Sequence, residues 1–161
     1  MPNQPEGYYR HLNFPMRKYK QHTDERVYRR SLYMHWQRQF LHPMLKAFDA
    51  PSREECTAER PRSNTPVAAM TLLNDPNFVE AARVLAERIL HEAAKNDRAR
   101  LDHAYELVLS RSPTDAERKT MGDLSNYASK DFTKRPDAAK QLTGIGHTAA
   151  DTNHNPIQQP T

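Results

Sequence analysis

The chain contains very little cysteine and glycine, which excludes several kinds of active site. Cys56 is its one cysteine, so the chain can form neither an internal disulfide nor a cluster of thiolate metal ligands. Glu54 and Glu55 precede Cys56, and neighbouring carboxylates disfavour the thiolate that a nucleophile needs. Only four glycines are present, and no Gly-rich phosphate loop, catalytic-triad pattern or C-x-x-C-H haem attachment occurs. We therefore predict no enzyme active on its own, with no catalytic, cofactor-binding or metal-binding residue.

Long apolar runs are also missing. No stretch of about 18 apolar residues occurs that could form a membrane span, and the opening sequence MPNQPEGYYR has no apolar segment typical of a signal peptide. Apolar residues make up 37% of the chain and the mean hydropathy is -0.96, which predicts a modest core. A length of 161 residues suits one domain.

Basic and aromatic residues are concentrated near the N-terminus. Residues 1–48 contain nine Lys and Arg against three Asp and Glu, together with five of the seven tyrosines and the one tryptophan. Residues 1–23 show no sustained periodicity, so we predict an irregular basic and aromatic arm. Such an arm could bind a polyanion, either nucleic acid or an acidic polysaccharide, through charge and stacking. Packing against its own protein is the favoured interpretation, because the aromatic residues that follow recur at core-like helical steps.

A helical pattern begins at Asp24, a predicted N-cap. Apolar residues from Tyr28 to Leu41 recur at helical steps, although Leu32, Met34 and Trp36 also alternate as in a strand. The helix is favoured over the strand, and Pro43 is predicted to end either one.

Further helix starts are marked by capping residues. Ser52 and Glu55 fit a capping box, and Thr65-Pro66 and Asp75-Pro76 each place a cap before a proline at the first helical position. The segment VAAMTLLN is apolar nearly all round, which predicts a buried helix. The next helix carries an apolar stripe: Phe78, Ala82, Leu85, Ile89 and Ala93.

Two more helices and a short helical segment follow. The first begins at Asn96 or Asp97, is predicted to turn its apolar residues inward, and stops at Pro113. Thr114 and Glu117 form a second capping box for the next. The predicted inward residues of these two helices are Leu101, Ala104, Tyr105, Val108, Leu109, Met121, Leu124, Tyr127 and Ala128. The fold prediction is mainly α: a single helical domain of about five helices over residues 24–146, with a disordered tail at 147–161.

A possible anion or partner-binding site lies around the segment RPRSNTP. Guanidinium groups pair with carboxylate or phosphate, and the helix starts at Pro66 and Pro76 would add backbone donors. The favoured interpretation is that these arginines pair with acids close in sequence, at positions 49, 54, 55 and 59. The candidate residues are Arg53, Arg60, Arg62 and Asn64.

His35 and His42 could share a helical face, since they are two turns apart. No Asp or Glu lies between Tyr28 and Ala47 to supply a third ligand. We therefore predict surface or hydrogen-bonded histidines and no metal site.

The segments FDAPSREECT, RPRSNTP and LLNDPNFVEAARVLAERIL, in that order, closely resemble one family. It is the planctomycete-type domain of unknown function numbered fifteen fifty-three. The later segment AYELVLSRSPTDAE is similar to the same family, and the resemblance covers most of residues 5–146.

This resemblance implies a C-terminal domain of a large exported or periplasmic bacterial protein, in which a cytochrome-c-like domain often lies upstream. Haem and any export signal would then lie outside this chain, and the partners would be the upstream domains. No reaction is established for the family, so no catalytic residue is carried over. The family pattern normally continues past Gly146 into a final apolar helix, whereas this chain ends in NPIQQPT, so we expect a truncated fragment. Three functions follow as hypotheses: a non-catalytic docking module, a polyanion-binding module, or part of a composite active site in a polymer-degrading parent enzyme.

Overall fold

The computed structural model describes residues 4, 6–8, 19–34, 36, 40–52, 54–93 and 96–151. Two short 3-10 helices, Glu25–Tyr28 and Ser31–Tyr33, come first, and the described residues contain no strand. The α-helices are α1 (Pro43–Ala47), α2 (Pro66–Asn74), α3 (Pro76–Glu92), α4 (Asp97–Leu109), α5 (Asp115–Lys134) and α6 (Pro136–Thr143). The mainly α fold is confirmed, with six α-helices where the sequence predicts about five.

Internal contacts divide the chain into two compact units, residues 1–79 and residues 80–161. The boundary falls inside α3, whose first turn belongs to the first unit. The predicted boundaries at residues 23 and 146 are not tested by this division and stay predictions.

The predicted long helix between Asp24 and Pro43 is wrong. Asp24 does act as an N-cap, because its carboxylate accepts from the Arg26 backbone N–H, but the helix that follows is one 3-10 turn. Pro43 starts α1 instead of ending a helix, and the His42 side chain accepts from the Met44 backbone N–H as its cap. Proline suits this position because the first helical N–H has no partner within the helix.

The first unit is held by a few specific contacts. The Tyr8 hydroxyl donates to the Leu41 carbonyl at 2.8 Å, and its ring meets Phe40 edge-on at 6.4 Å. Leu45 of α1 is buried, and the Phe48 ring packs edge-on against Phe78. The Tyr8 contacts show part of the N-terminal arm packing on its own chain, as the favoured interpretation predicts.

The N-caps of α2, α3, α4 and α5 are where the sequence predicts them. Side-chain oxygens of Thr65, Asp75, Asn96 and Thr114 each accept a backbone N–H from the following turn. The predicted box at Ser52 is not followed by a helix: its hydroxyl accepts from the Glu54 N–H, and the described residues there form bends.

The second unit packs α4 on α5 and α5 on α6. Arg118 of α5 donates to the Asp102 carboxylate of α4 at 2.6 Å, and Ala139 of α6 is buried. The prediction that every apolar residue of α4 and α5 faces inward is wrong, because several are more than half exposed. They are Val108, Leu109, Leu124 and Tyr127.

The capping box of α5 is reinforced by Arg111. The Glu117 carboxylate accepts from the Thr114 backbone N–H at 2.8 Å and from two Arg111 nitrogens at 2.9 and 2.7 Å. These Arg111 hydrogen bonds, followed by the Thr114 N–H, lower the pKa of Glu117 to about 2. Arg111 also lies 5.5 Å from the centre of the Tyr105 ring, so this cluster ties the start of α5 to α4.

Thr114→Ala should lower the free energy of unfolding by about 1 kcal/mol, because it leaves the Glu117 N–H without its cap. Urea denaturation followed by far-UV ellipticity measures this. Thr120→Ala is the matched control, since the Thr120 hydroxyl bonds only back to Ala116 within α5 and should cost nothing. Equal losses in the two variants would contradict the role given to the cap.

Candidate functional site

The predicted arginine cluster lies in the connector between α1 and α2. Arg60, Arg62 and Asn64 are all exposed there. Arg53, the fourth predicted residue, and His35 lie outside the described residues.

Arg60 is engaged by the end of α1. Its Nε donates to the Asp49 carbonyl at 3.0 Å, and a second guanidinium nitrogen donates to the Phe48 carbonyl. Arginine commonly serves the unpaired carbonyls at a helix C-terminus in this way. In the described part of the chain, neither Arg60 nor Arg62 forms an ion pair with the neighbouring acids. The predicted local pairing is therefore replaced, for Arg60, by backbone capping.

Asp49 completes this turn. Its backbone adopts a φ of 55°, a left-handed conformation that Asp tolerates better than most residues. Its carboxylate accepts from the Ser63 hydroxyl at 2.6 Å and from the Ser63 backbone N–H at 2.7 Å. These Ser63 hydrogen bonds, and to a smaller extent the charge of Arg60, lower the pKa of Asp49.

Because the folded-state pKa of Asp49 is depressed, its contribution to stability is present above its ordinary pKa of 3.8 and is lost as the pH falls through the folded value. An NMR titration of the Asp49 carboxyl carbon should give a midpoint below 3.8. Ser63→Ala should move the midpoint up, and Arg62→Ala should leave it in place. A midpoint that does not respond to Ser63→Ala would contradict the assignment.

A pocket of about 450 Å³ lies beside this turn. Arg60 and Arg62 line it, but so do Asp49 and Glu59, and Asn64 does not. The structure thus brings two of the four predicted residues together in a pocket of mixed charge. A pocket of one sign would serve an anion better, because the carboxylates oppose it.

A second candidate surface is apolar and lies on α2, a helix that the sequence predicts to be buried. Val67, Met70 and Leu73 follow each other at steps of three residues on α2 and are 62%, 59% and 72% exposed. We call these three residues the α2 surface. The prediction that α2 is buried is wrong, since none of its residues is buried. Its neighbour α1 has only five residues, so it cannot cover a nine-residue helix that is apolar on all sides.

The α2 surface borders a groove of about 530 Å³ between α1 and α2. Pro43 and Met44 of α1 form one wall, and Val67 and Met70 of α2 form the other. Methionine is flexible and polarisable, which suits surfaces that receive a partner. The sequence pattern that marks α2 is a short helix with apolar residues on all sides. Such a pattern indicates either a helix in the core or a helix whose partner lies outside the domain.

Other kinds of site find no support among the described residues. No group of three or more His, Cys, Asp and Glu is placed to hold a metal ion there. Every helix in that part of the chain is too short or too polar to cross a membrane. Cys56 is exposed and unpaired with another cysteine.

Comparison with known families gives one match. A family model with the description "PSD1: Protein of unknown function (DUF1553)" matches residues 1–125, which reaches into α5. No curated protein and no solved structure matches the chain.

Proposed function

The chain belongs to the PSD1 family of proteins of unknown function (DUF1553), and from that premise we propose that it is a non-catalytic module that docks onto other domains of a longer protein. The single observation that supports this proposal best is the α2 surface with its groove. Contiguous exposed apolar patches on soluble domains are typical of interaction sites.

Energetics favour covering this surface. Burying a Val, Leu or Met side chain contributes about 1.5–3 kcal/mol each, so three such residues are a substantial driving force. Among the described aliphatic and aromatic residues, only Leu45 and Ala139 are buried, so the described part of the chain has little core of its own. A partner that covers the α2 surface would therefore add a large fraction to the stability of the first unit.

The proposed occupant is another domain of the same polypeptide, because the family resemblance implies upstream domains. The same proposal places the longer protein in an exported or periplasmic setting and any haem on another domain. A single cysteine cannot supply the paired thiols of a C-x-x-C-H attachment, so the residues of this chain do not fit a covalently attached haem.

Polyanion binding is the second candidate, and the exposed Arg62 beside the 450 Å³ pocket favours it. Two observations weigh against it: Arg60 is already engaged by the Phe48 and Asp49 carbonyls, and Glu59 lines the same pocket. A role in a composite active site would likewise rest on Arg62 and Asn64, which are exposed in the connector between α1 and α2.

Salt dependence separates docking from polyanion binding. A protease site can be inserted into the longer protein just before residue 1 of this chain. Cleavage after folding would cut the connection, and gel filtration would show whether this chain stays bound to the other domains. Apolar docking predicts retention at both 0.1 and 1 M NaCl, to roughly equal extents, and no effect of Arg62→Ala. Release at high salt, or in the Arg62→Ala variant, would instead support binding through charge–charge contacts and would contradict the proposal.

A further inference from the structure

Residues 146–151, here called the strap, lie along α3 in the second unit. Four polar residues of α3 face the strap at steps of three, four and four, and so form one row on the helix. This α3 row consists of Glu80, Arg83, Glu87 and His91. The sequence pattern places three of these side chains off the apolar stripe and gives them no partner at the other end of the chain.

One end of the strap is held by Glu80, which is only 1% exposed. Its carboxylate oxygen accepts from the backbone N–H groups of His147 at 2.9 Å and Thr148 at 2.6 Å. Arg83 donates to the Thr148 carbonyl at 2.6 Å. Two successive N–H groups that converge on one carboxylate oxygen require the sharp turn at Gly146, whose φ is 109°.

The other end is held by Glu87 and His91. The Glu87 carboxylate accepts from the Asp151 backbone N–H at 3.3 Å and from Arg83 at 2.7 Å. His91 Nε2 lies 2.7 Å from the Asp151 carboxylate. The strap therefore runs parallel to α3, from its N-terminal half toward its C-terminal end.

Most of these contacts recognise main chain and not side chain. Two positions are exceptions. A Cβ atom at Gly146 would lie 2.4 Å from the Glu80 side chain, so only glycine fits, and Asp151 supplies the carboxylate that meets His91. The α3 row thus accommodates a backbone that turns at a glycine and carries an acid five residues later.

The strap is also attached weakly compared with the helices. Residues 146–150 are exposed, so no apolar side chain of theirs is buried against α3. Segments held by polar contacts alone open at lower free energy than packed helices.

We propose that the α3 row is a binding site for a peptide of the form Gly-x-x-x-x-Asp that turns at its glycine, and that the strap is its ligand within the same chain. The strap is then a clasp that opens and closes while the helices stay folded. The α3 row becomes available to another segment of this form only when the clasp is open. The proposal is independent of the docking surface on α2.

Two glycine substitutions in the full chain test the clasp. Amide hydrogen exchange should show His147, Thr148 and Asp151 protected in the unchanged chain. Gly146→Ala should speed their exchange by about tenfold or more while the amides of α4 and α5 stay protected. Gly122→Ala is the control, since a Cβ there meets nothing within 4 Å and should leave the strap protected. Unprotected strap amides in the unchanged chain, or no effect of Gly146→Ala, would overturn the clasp.

A peptide with the sequence of residues 145–152 tests the binding site itself. It should bind the Gly146→Ala chain, whose clasp is open, more tightly than the unchanged chain. A peptide in which alanine replaces Asp151 should bind more weakly, because it lacks the partner of His91. Failure of the first peptide to bind the Gly146→Ala chain would overturn the proposed site and leave the strap as a local packing element.

Discussion

Glu80→Ala should lower the free energy of unfolding of the second unit by about 1.5–3 kcal/mol, the largest loss of stability we expect of any single substitution in this chain. The change removes the acceptor of two backbone N–H groups and leaves a space where a buried carboxylate was. His147 and Thr148 are exposed, so water can replace the lost acceptor, and the range is that of hydrogen bonds to a charged group, about 1.5–3 kcal/mol. Glu80→Gln should lose less, because its amide oxygen can still accept.

Urea denaturation monitored by far-UV ellipticity measures this loss, and Glu106→Ala is the control on an exposed position of α4. The control should change stability by less than about 0.5 kcal/mol. Combining Glu80→Ala with Gly146→Ala adds a sharper test. Because both changes release the same turn, the double variant should lose less than the two single losses together. Full additivity would show that Glu80 acts on something other than the strap.

Met70→Glu should weaken docking by about 2–3 kcal/mol, or roughly 30- to 150-fold in affinity, while it leaves the isolated chain folded. Met70 is 59% exposed and lines the α1–α2 groove. A charged side chain there stays hydrated in the isolated chain, but it loses its hydration when a partner covers the groove, which weakens binding. Glu and Met have nearly equal helix propensities, so α2 itself should persist.

Leu72→Glu is the matched control for Met70→Glu. Leu72 is 51% exposed, lies two residues along the same helix and therefore points to nearly the opposite side. The two variants are compared in two ways. Retention of the cleaved chain by the other domains measures docking, and thermal melts measure folding. Equal retention of both variants would mean that the groove is not the docking face. Loss of helix in the Met70→Glu chain alone would mean that α2 is needed for folding.

The sequence predicts the helix starts well because each is encoded locally. Thr65-Pro66 and Asp75-Pro76 combine a side-chain acceptor with a residue that needs no donor, and both start helices in the structure. The capping box at Thr114 and Glu117 is equally local. Pro43 shows the limit of such reasoning, since proline can follow one element or start another, and the structure selects the second.

Burial is less predictable, because it depends on what each helix meets. The composition of α2 predicts a core helix, but its neighbour α1 is too short to cover it. Arg60 illustrates the same point for polar groups: its carbonyl partners lie eleven and twelve residues away and carry no sequence signal. The contacts of Glu80 join positions more than sixty residues apart, and no local pattern marks them.

The docking role is tested most directly by amide hydrogen exchange of α2, measured in the 161-residue chain and again in the longer protein. Docking over the groove predicts that α2 amides exchange at least about tenfold more slowly in the longer protein, because opening this helix would then also require release of its partner. Amides of α5 serve as the internal reference and should change less. Equal exchange of α2 in both forms would contradict the proposal that this module docks through its exposed apolar helix.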